Sequence, residues 1–470
     1  LEWRWHWDKE TMNRFNGKRV LVIGAARQGL ALARYLINQH ARVTLNDQQT
    51  PEQLQQVMQP FAGSGVEWAL GGHPLHLLDG KDLVCVSGGV PLTLPLVQAA
   101  LERGIPLTND SQIFMETVKA PVVGITGSAG KTTTTSIFGR MAAAALKSPC
   151  KAWVGGNIGN PLIEFSEEID ADDLVIQEFS SFQLELMTTS PHIAAVLNIT
   201  PNHLDRHADM DEYTRAKSRI LFHQSTADIA VLNREDMGAW NLRPLVRGAL
   251  LSFGMERSPS VGNQVYLKDP NIHAEVEGKA TELFPVSLIS LRGKHNLMNV
   301  LAACALALAC DFPVEAMVRG IEGFNGVKHR LQFVREVNGV RWYNDSIATA
   351  PERSLAALQS FQEPIILLLG GRDKNLPWQP LAQEVKKRAR HAVLFGEAGS
   401  KIAAALGTPT EVDYLQSISQ VGTLQEAVLQ AARLASQGDV VLLSPGCTSY
   451  DAFKDFEERG EAFIEWVNHL

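Results

Sequence analysis

Short apolar runs rich in β-branched residues recur along the chain and alternate with stretches whose apolar positions fall at helical spacing. KRVLVIG (18–24) reads as a strand, Gly24 to Gly29 as a turn, Gly29 to Asn38 as a helix, and ARVTLND (41–47) as a second strand ending at Asp47. This is a βαβ unit of Rossmann type, although its glycine fingerprint is degraded, with Ala26 at the second glycine position. LVCVSGG (83–89), a helix from about Leu94 to Arg103 and IPLTND (105–110) complete a small α/β domain, placed at 17–119. A second unit, 120–326, has strands at LVIQEFS (174–180), IAAVLNI (193–199) and IAVLN (229–233). A β-rich stretch over 240–290 and an alanine- and leucine-rich helix at 296–310 follow. The third unit, 327–470, opens with a hairpin signal at Asn338-Gly339. Its strands IILLLGG (365–371), HAVLFG (391–396) and DVVLLSPG (439–446) alternate with helices. The expected class is α/β: Rossmann-like first and third domains flanking a central phosphate-loop ATPase-type domain.

A length of 470 residues agrees with roughly three domains. A formal net charge of −8 and the lack of a basic run argue against a nucleic-acid partner. The five cysteines (Cys85, Cys150, Cys304, Cys310, Cys447) are odd in number and lack metal-type spacing, so they read as reduced thiols of a cytoplasmic protein. The longest clean apolar run, Leu301 to Cys310, is too short to span a bilayer, and no secretory signal is evident, so no membrane partner is expected. Trp3, Trp5 and Trp7 alternate with charged residues or histidine and admit a short edge strand; residues 1–16 are read instead as an irregular tail.

The chemistry concentrates at VVGITGSAGKTTT (122–134), a strand running into a glycine loop and then a helix. Gly127 and Gly130 let backbone N–H groups converge on phosphate oxygens, Lys131 reaches the β and γ phosphates, and Thr132 is placed to ligate Mg²⁺. Strict Walker A spacing would put the first glycine at 125, which is Ile125. Glu178 ends an apolar strand, where a parallel sheet places its ligands, and suits a Mg²⁺ site. His203, in NITPNHLDRH, follows the next strand and is as readily structural as catalytic. Lys217, on a helix, reads from its own surroundings as a solvated surface lysine. Asn296 and Asn299 share a helix face; one amide can read an adenine edge, or Asn296 can cap the helix. Arg330 stands beside a flexible Asn325-Gly326 and can reach a γ-phosphate, while Asp345 ends a strand facing a ribose or a metal-bound water.

With these pieces in order the chain resembles the Mur ligases, ATP-dependent amide-forming enzymes of peptidoglycan precursor synthesis. The resemblance runs from about residue 17 to the C-terminus on TGSAGKTT (126–133), NITPNHLDRH (198–207), GKHNLMN (293–299), His329-Arg330 and YNDS (343–346). GGNIGNP (155–161), EFSSFQLE (178–185) and LLSPGCTSYDAFKDFEERG (442–460) favour the member that adds D-glutamate to UDP-N-acetylmuramoyl-L-alanine. The resemblance implies that Gly127, Ser128, Ala129, Gly130, Lys131, Thr132 and Thr133 hold ATP with Asn296, Asn299, Arg330 and Asp345. It further implies that Thr132, Glu178, His203 and a carbamylated Lys217 hold two Mg²⁺ ions. Gly24, Arg27, Gln28, Asp47, Ser87, Asn157, Ser180 and Gln183 would bind the UDP-sugar, and Thr349, Lys374, Ser449 and Phe456 the D-glutamate. Lys131, His203 and Lys217 would be catalytic, an acyl phosphate would be the intermediate, and the protein would be a monomer.

Three departures from the family pattern stand out. Where the family usually reads NDSKATN, this chain has Asn344-Asp345-Ser346-Ile347-Ala348-Thr349-Ala350. Asn202 replaces an aspartate before the histidine, and Asp47-Gln48-Gln49 stands where an arginine often clamps the nucleotide, leaving Arg27 to share that task. The rival readings are a Mur-type or folylpolyglutamate-type ligase with another acceptor, a dehydrogenase using the first βαβ unit, and a non-catalytic nucleotide-binding protein.

Overall fold

A computed structural model describes residues 14–201, 206–291, 293–374 and 376–470. Its strands form three sheets. The first is wholly parallel and comprises β1 (Arg19–Ile23), β2 (Arg42–Asp47), β3 (Glu67–Leu70), β4 (Leu83–Val86) and β5 (Leu107–Thr108) in the order β3-β2-β1-β4-β5. The order reverses beside β1, which opens a crevice at the C-terminal ends of β1 and β4. Side chains of β1 alternate between two cores: Val20 and Val22 lie with Leu32 and Leu36, Leu21 and Ile23 with Leu96 and Val97. A strand covered on both faces must be apolar at every position, and RVLVI is so after its first residue.

The second sheet contains β6 (Val122–Thr126), β7 (Ala152–Gly156), β8 (Leu174–Glu178), β9 (Ile193–Val196), β10 (Ile229–Asn233), β11 (Ala249–Gly254), β12 (Gln264–Lys268), β13 (Asn271–Val276) and β14 (Lys279–Pro285). Its order is β14-β13-β12-β11-β10-β9-β6-β8-β7, parallel as far as β12, after which β13 and β14 add an antiparallel meander. The β-rich stretch expected over 240–290 is this extension. Central β6 lies between β8 and β9, so its phosphate loop, Glu178 and Asn198 all emerge at one edge.

The third sheet holds β15 (Gln332–Val337), β16 (Val340–Asn344), β17 (Ile365–Gly370), β18 (Ala389–Phe395), β19 (Ser417–Gln420) and β20 (Val440–Gly446), in the order β15-β16-β20-β17-β18-β19. Asn338 and Gly339 at φ 51° and 76° join the antiparallel β15–β16 pair, as their type I′ chemistry predicts.

The chain separates into two compact units, Leu1–Ile289 with Lys294–Glu322 and Ser290–Gly293 with Gly323–Leu470. The first two sheets share one unit because the core around Val20 and Leu36 continues into Leu162, Ile163 and Val175. The tryptophan-bearing segment falls at residues 1–13, outside the described residues. Phe15, grouped above with the tail, is buried edge-on to Tyr35. The first helix spans Arg27–Asn38, two residues longer than its pattern indicated. Among the described residues no helix is long and apolar enough to cross a membrane.

Candidate active site

Strand β6 ends at Thr126, and the chain turns through Gly127–Gly130 into the helix Lys131–Ala145. Gly130 sits at the helix N-cap with φ 82°, and a Cβ there would lie 2.2 Å from Asn299 Oδ1, so both conformation and space require glycine. Neighbouring elements fix the loop. Asn198 Oδ1 accepts from Ala129 N at 2.8 Å while its Nδ2 donates to the Ala129 carbonyl at 3.0 Å. Ser128 Oγ donates to the Thr200 carbonyl at 2.9 Å and lies 3.0 Å from Tyr213 Oη. Gly130 has no side chain with which to cap the helix, so the helix presents its first N–H groups and dipole to an anion. Lys131 Nζ donates to the Gly127 carbonyl at 2.9 Å, folded over the cradle it is suited to fill.

Glu178, 1% exposed at the end of β8, accepts from Thr132 Oγ1 at 3.0 Å and from Asn157 Nδ2 at 2.9 Å. A buried carboxylate and a hydroxyl beside a phosphate loop make a hard oxygen donor set, which fits Mg²⁺. Lys217 is not a surface residue: it is buried, its Nζ donating to the Gly127 carbonyl at 3.0 Å and lying 4.8 Å from the Tyr213 ring centre. Tyr213, Lys217, Ile220 and Leu221 form the buried face of the helix Met210–Phe222, a helical spacing that signals burial in the sequence alone. Burial first, and then the Lys131 charge, pull the Lys217 ammonium well below its ordinary pKa, with Glu178 opposing. As an amine it offers no oxygen ligand; as a carbamate it would. His203 and Asn202 lie outside the described residues.

Asn299 is buried on the helix Lys294–Ala309, its Nδ2 donating to Asn296 Oδ1 at 3.2 Å. Asn296 does not cap this helix, because the helix starts two residues before it. The pair does share the face beside Gly130.

At the crevice of the first sheet, Gly24 (φ 100°), Gln28, Asp47 and Ser87 converge. Ser87 Oγ donates to the Gly24 carbonyl at 3.2 Å, Asp47 Oδ2 accepts from Ala25 N at 2.7 Å, and Gln28 Oε1 lies near Gly88. Asp47 thus also holds the first turn. Arg27 donates to the Asn157 carbonyl at 3.3 Å, joining this crevice to the Glu178 cluster. Ser180 and Gln183 form a capping box, and fully buried Gln183 also donates to Ser111 Oγ at 2.8 Å. Gln183 is therefore engaged within the protein and supports Ser180.

In the second unit, Asp345 is buried, accepting from Leu331 N at 3.1 Å and Ser444 Oγ at 2.7 Å, and burial pushes its carboxyl up to about 7. It feels the charge of Arg330. Lys374 Nζ lies 3.4 Å from Thr349 Oγ1. Ser449 is buried, and Phe456 opens the helix Phe456–Asn468. The sequence reading missed Asn198 and Tyr213, polar side chains whose only signal was their place after a strand and on a buried helix face.

Residues 18–109 match the Mur ligase MurD-like N-terminal domain, 125–307 the Mur ligase middle domain, and 329–447 the Mur ligase glutamate ligase domain. The chain is 41% identical over 457 residues to the UDP-N-acetylmuramoylalanine–D-glutamate ligase of Pelotomaculum thermopropionicum, covering 97% of this chain and 98% of that one. It is 39% identical over 453 residues to the ligase of the same name from Symbiobacterium thermophilum, covering 96% and 98%. Among solved structures, UDP-N-acetylmuramate-alanine ligase MurC of Thermotoga maritima matches at TM-score 0.58 and 19% identity, over 96% of this chain and 99% of that one. MurF of Acinetobacter baumannii matches at 0.57 and 17%, over 98% and 99%. These likenesses are of fold.

Proposed function

The chain belongs to the Mur ligase family, and from that premise we infer that it adds D-glutamate to UDP-N-acetylmuramoyl-L-alanine in peptidoglycan synthesis. Near-full-length identity to ligases of that name supports the substrates. The observation that carries the chemistry is the buried Glu178 carboxylate bonded to Thr132 beside the Lys131 loop. We propose functional regions at 17–119 for the UDP-sugar, 120–326 for ATP and 327–470 for the amino acid.

ATP binds with its phosphates against the 127–130 loop and the N-terminus of the following helix. Thr132, Glu178, His203 and a Lys217 carbamate would hold Mg²⁺, which when bound would supply charge neutralisation for the transferring phosphoryl group. The depressed Lys217 pKa favours the neutral amine, the form that takes up carbon dioxide. Lys131 swings from the Gly127 carbonyl to the β and γ phosphates. The alanyl carboxylate oxygen bonds to the γ-phosphorus as the β–γ bridge breaks, giving an acyl phosphate and ADP. The deprotonated amine of D-glutamate attacks the acyl carbon and phosphate leaves. Arg27, Asn157 and Ser180 orient the UDP-sugar; Thr349, Lys374, Ser449 and Phe456 bind the amino acid. Five free cysteines suit a reducing compartment, and we propose a cytoplasmic location.

The deciding assay measures phosphate release that requires ATP, the UDP-sugar and D-glutamate together, run against L-glutamate. Lys131→Ala should abolish it, by about two orders of magnitude or more if the lysine acts on the transition-state charge. Wild-type turnover in that variant removes the loop from the mechanism; absence of D-glutamate dependence in the unaltered protein removes the substrate assignment.

A further inference from the structure

Arg459, in the first turn of the helix Phe456–Asn468, is completely buried. Its Nε donates to Ser346 Oγ at 2.9 Å and its Nη2 to the carbonyls of Ser346 at 2.8 Å and Cys447 at 3.1 Å. Ser346 Oγ in turn donates to the Phe456 carbonyl at 2.8 Å. The remaining nitrogen, Nη1, is buried without a hydrogen-bond partner among the described residues and points at the Gly370-Gly371 turn: a Cβ on Gly371 would lie 3.0 Å from it. That turn continues to Lys374, and it is bridged to the strand end before Ser449 by the mutual backbone bonds of Arg372 and Thr448, 2.9 and 3.0 Å. Among the described residues no carboxylate lies within ion-pair distance of Arg459; Asp451 and Cys447 are the groups that favour its charge. Burial draws the guanidinium down to about 10, so it stays protonated at neutral pH.

A buried cation with an idle NH₂ and no carboxylate in ion-pair contact among the described residues is costly unless it serves something else. Arg459 touches, or lies one residue chain away from, all four segments that carry Thr349, Lys374, Ser449 and Phe456. We propose that Arg459 is a positioning residue for the incoming amino acid: its guanidinium fixes those four segments together, and its positive charge biases the pocket toward an acceptor with an anionic side chain. This rests on the reading of that set as the D-glutamate pocket. A lysine could keep the charge but not the planar fork that bonds two carbonyls and a hydroxyl at once.

Three variants of the full chain test it: Arg459→Lys, Arg459→Gln and Ser346→Ala, each compared with the unaltered protein by thermal unfolding and by steady-state kinetics on all three substrates. Arg459→Lys is expected to raise the KM for D-glutamate about tenfold through loss of the fork, with the KM values for ATP and the UDP-sugar changed by less than about twofold. Arg459→Gln should in addition erode the preference for D-glutamate over D-glutamine, while Ser346→Ala should raise the D-glutamate KM with that preference intact. If the KM values of all three substrates rise together, or the D-glutamate KM stays put in folded variants, the proposal is overturned. Should the arginine variants fail to fold, Ser346→Ala decides by the same criteria. Loss of D-glutamate dependence in the unaltered protein is a separate result, which overturns the functional reading and this assignment with it.

Discussion

At the scale of single residues, the site depends on groups whose neighbours leave no latitude. Gly130 combines a left-handed backbone with a side-chain position already filled by Asn299. Gly130→Ala should therefore raise the KM for ATP about tenfold or more, by forcing the loop or Asn299 aside; nucleotide binding measured by calorimetry checks this, with the UDP-sugar affinity as the control. Lys217 teaches the opposite lesson about legibility. Its own neighbours in sequence gave a surface lysine, yet the spacing of Tyr213, Lys217 and Ile220 already placed it on the buried face. A carbamate on Lys217 predicts a carbonyl resonance when the protein is equilibrated with ¹³C-labelled bicarbonate, absent from Lys217→Ala; no difference between the two spectra refutes the carbamate.

Elements carry a second layer of constraint. Gly29, third glycine of the degraded fingerprint, lets the helix Arg27–Asn38 come close to the first strand: a Cβ would sit 1.8 Å from the Gly24 carbonyl oxygen. The one lost glycine, at Ala26, sits at the N-cap of that helix in extended backbone, a conformation any residue adopts. The fingerprint thus survives where packing demands it. In the helix Pro351–Leu358 the departure from the family pattern has a visible consequence. Ala350 occupies the N-cap in extended backbone and makes no cap hydrogen bond. Ala350→Asn, which restores the family's usual residue, should stabilise the second unit by about 1 kcal/mol. A denaturation midpoint equal to or below that of the unaltered chain contradicts this.

At the scale of the molecule, two compact units each carry a buried carboxyl whose pKa burial raises, Asp110 to about 6 in the first and Asp345 to about 7 in the second. The unfolded chain releases these protons near pH 4, whereas the folded chain holds them longer. Each group therefore costs stability progressively as pH rises from about 4 to its folded pKa, and the loss is complete above it. Asp345→Asn should flatten this decline between about pH 4 and 7 in calorimetric unfolding of the second unit, while leaving the first unit's transition in place. An unchanged pH slope rules the effect out. The sequence by itself determined the three α/β segments, the phosphate loop, Glu178 at a strand end and the membership of the family, because each is written in local periodicity or in contiguous motifs. Only the tertiary structure decided that the first two sheets share a core, that Asn198 and Tyr213 hold the loop, that Gln183 is engaged inside the protein, and that Arg459 is a buried cation with no carboxylate in ion-pair contact among the described residues. Those facts depend on which distant segments meet, and on how much water their meeting removes, and neither is encoded at any one position of the chain.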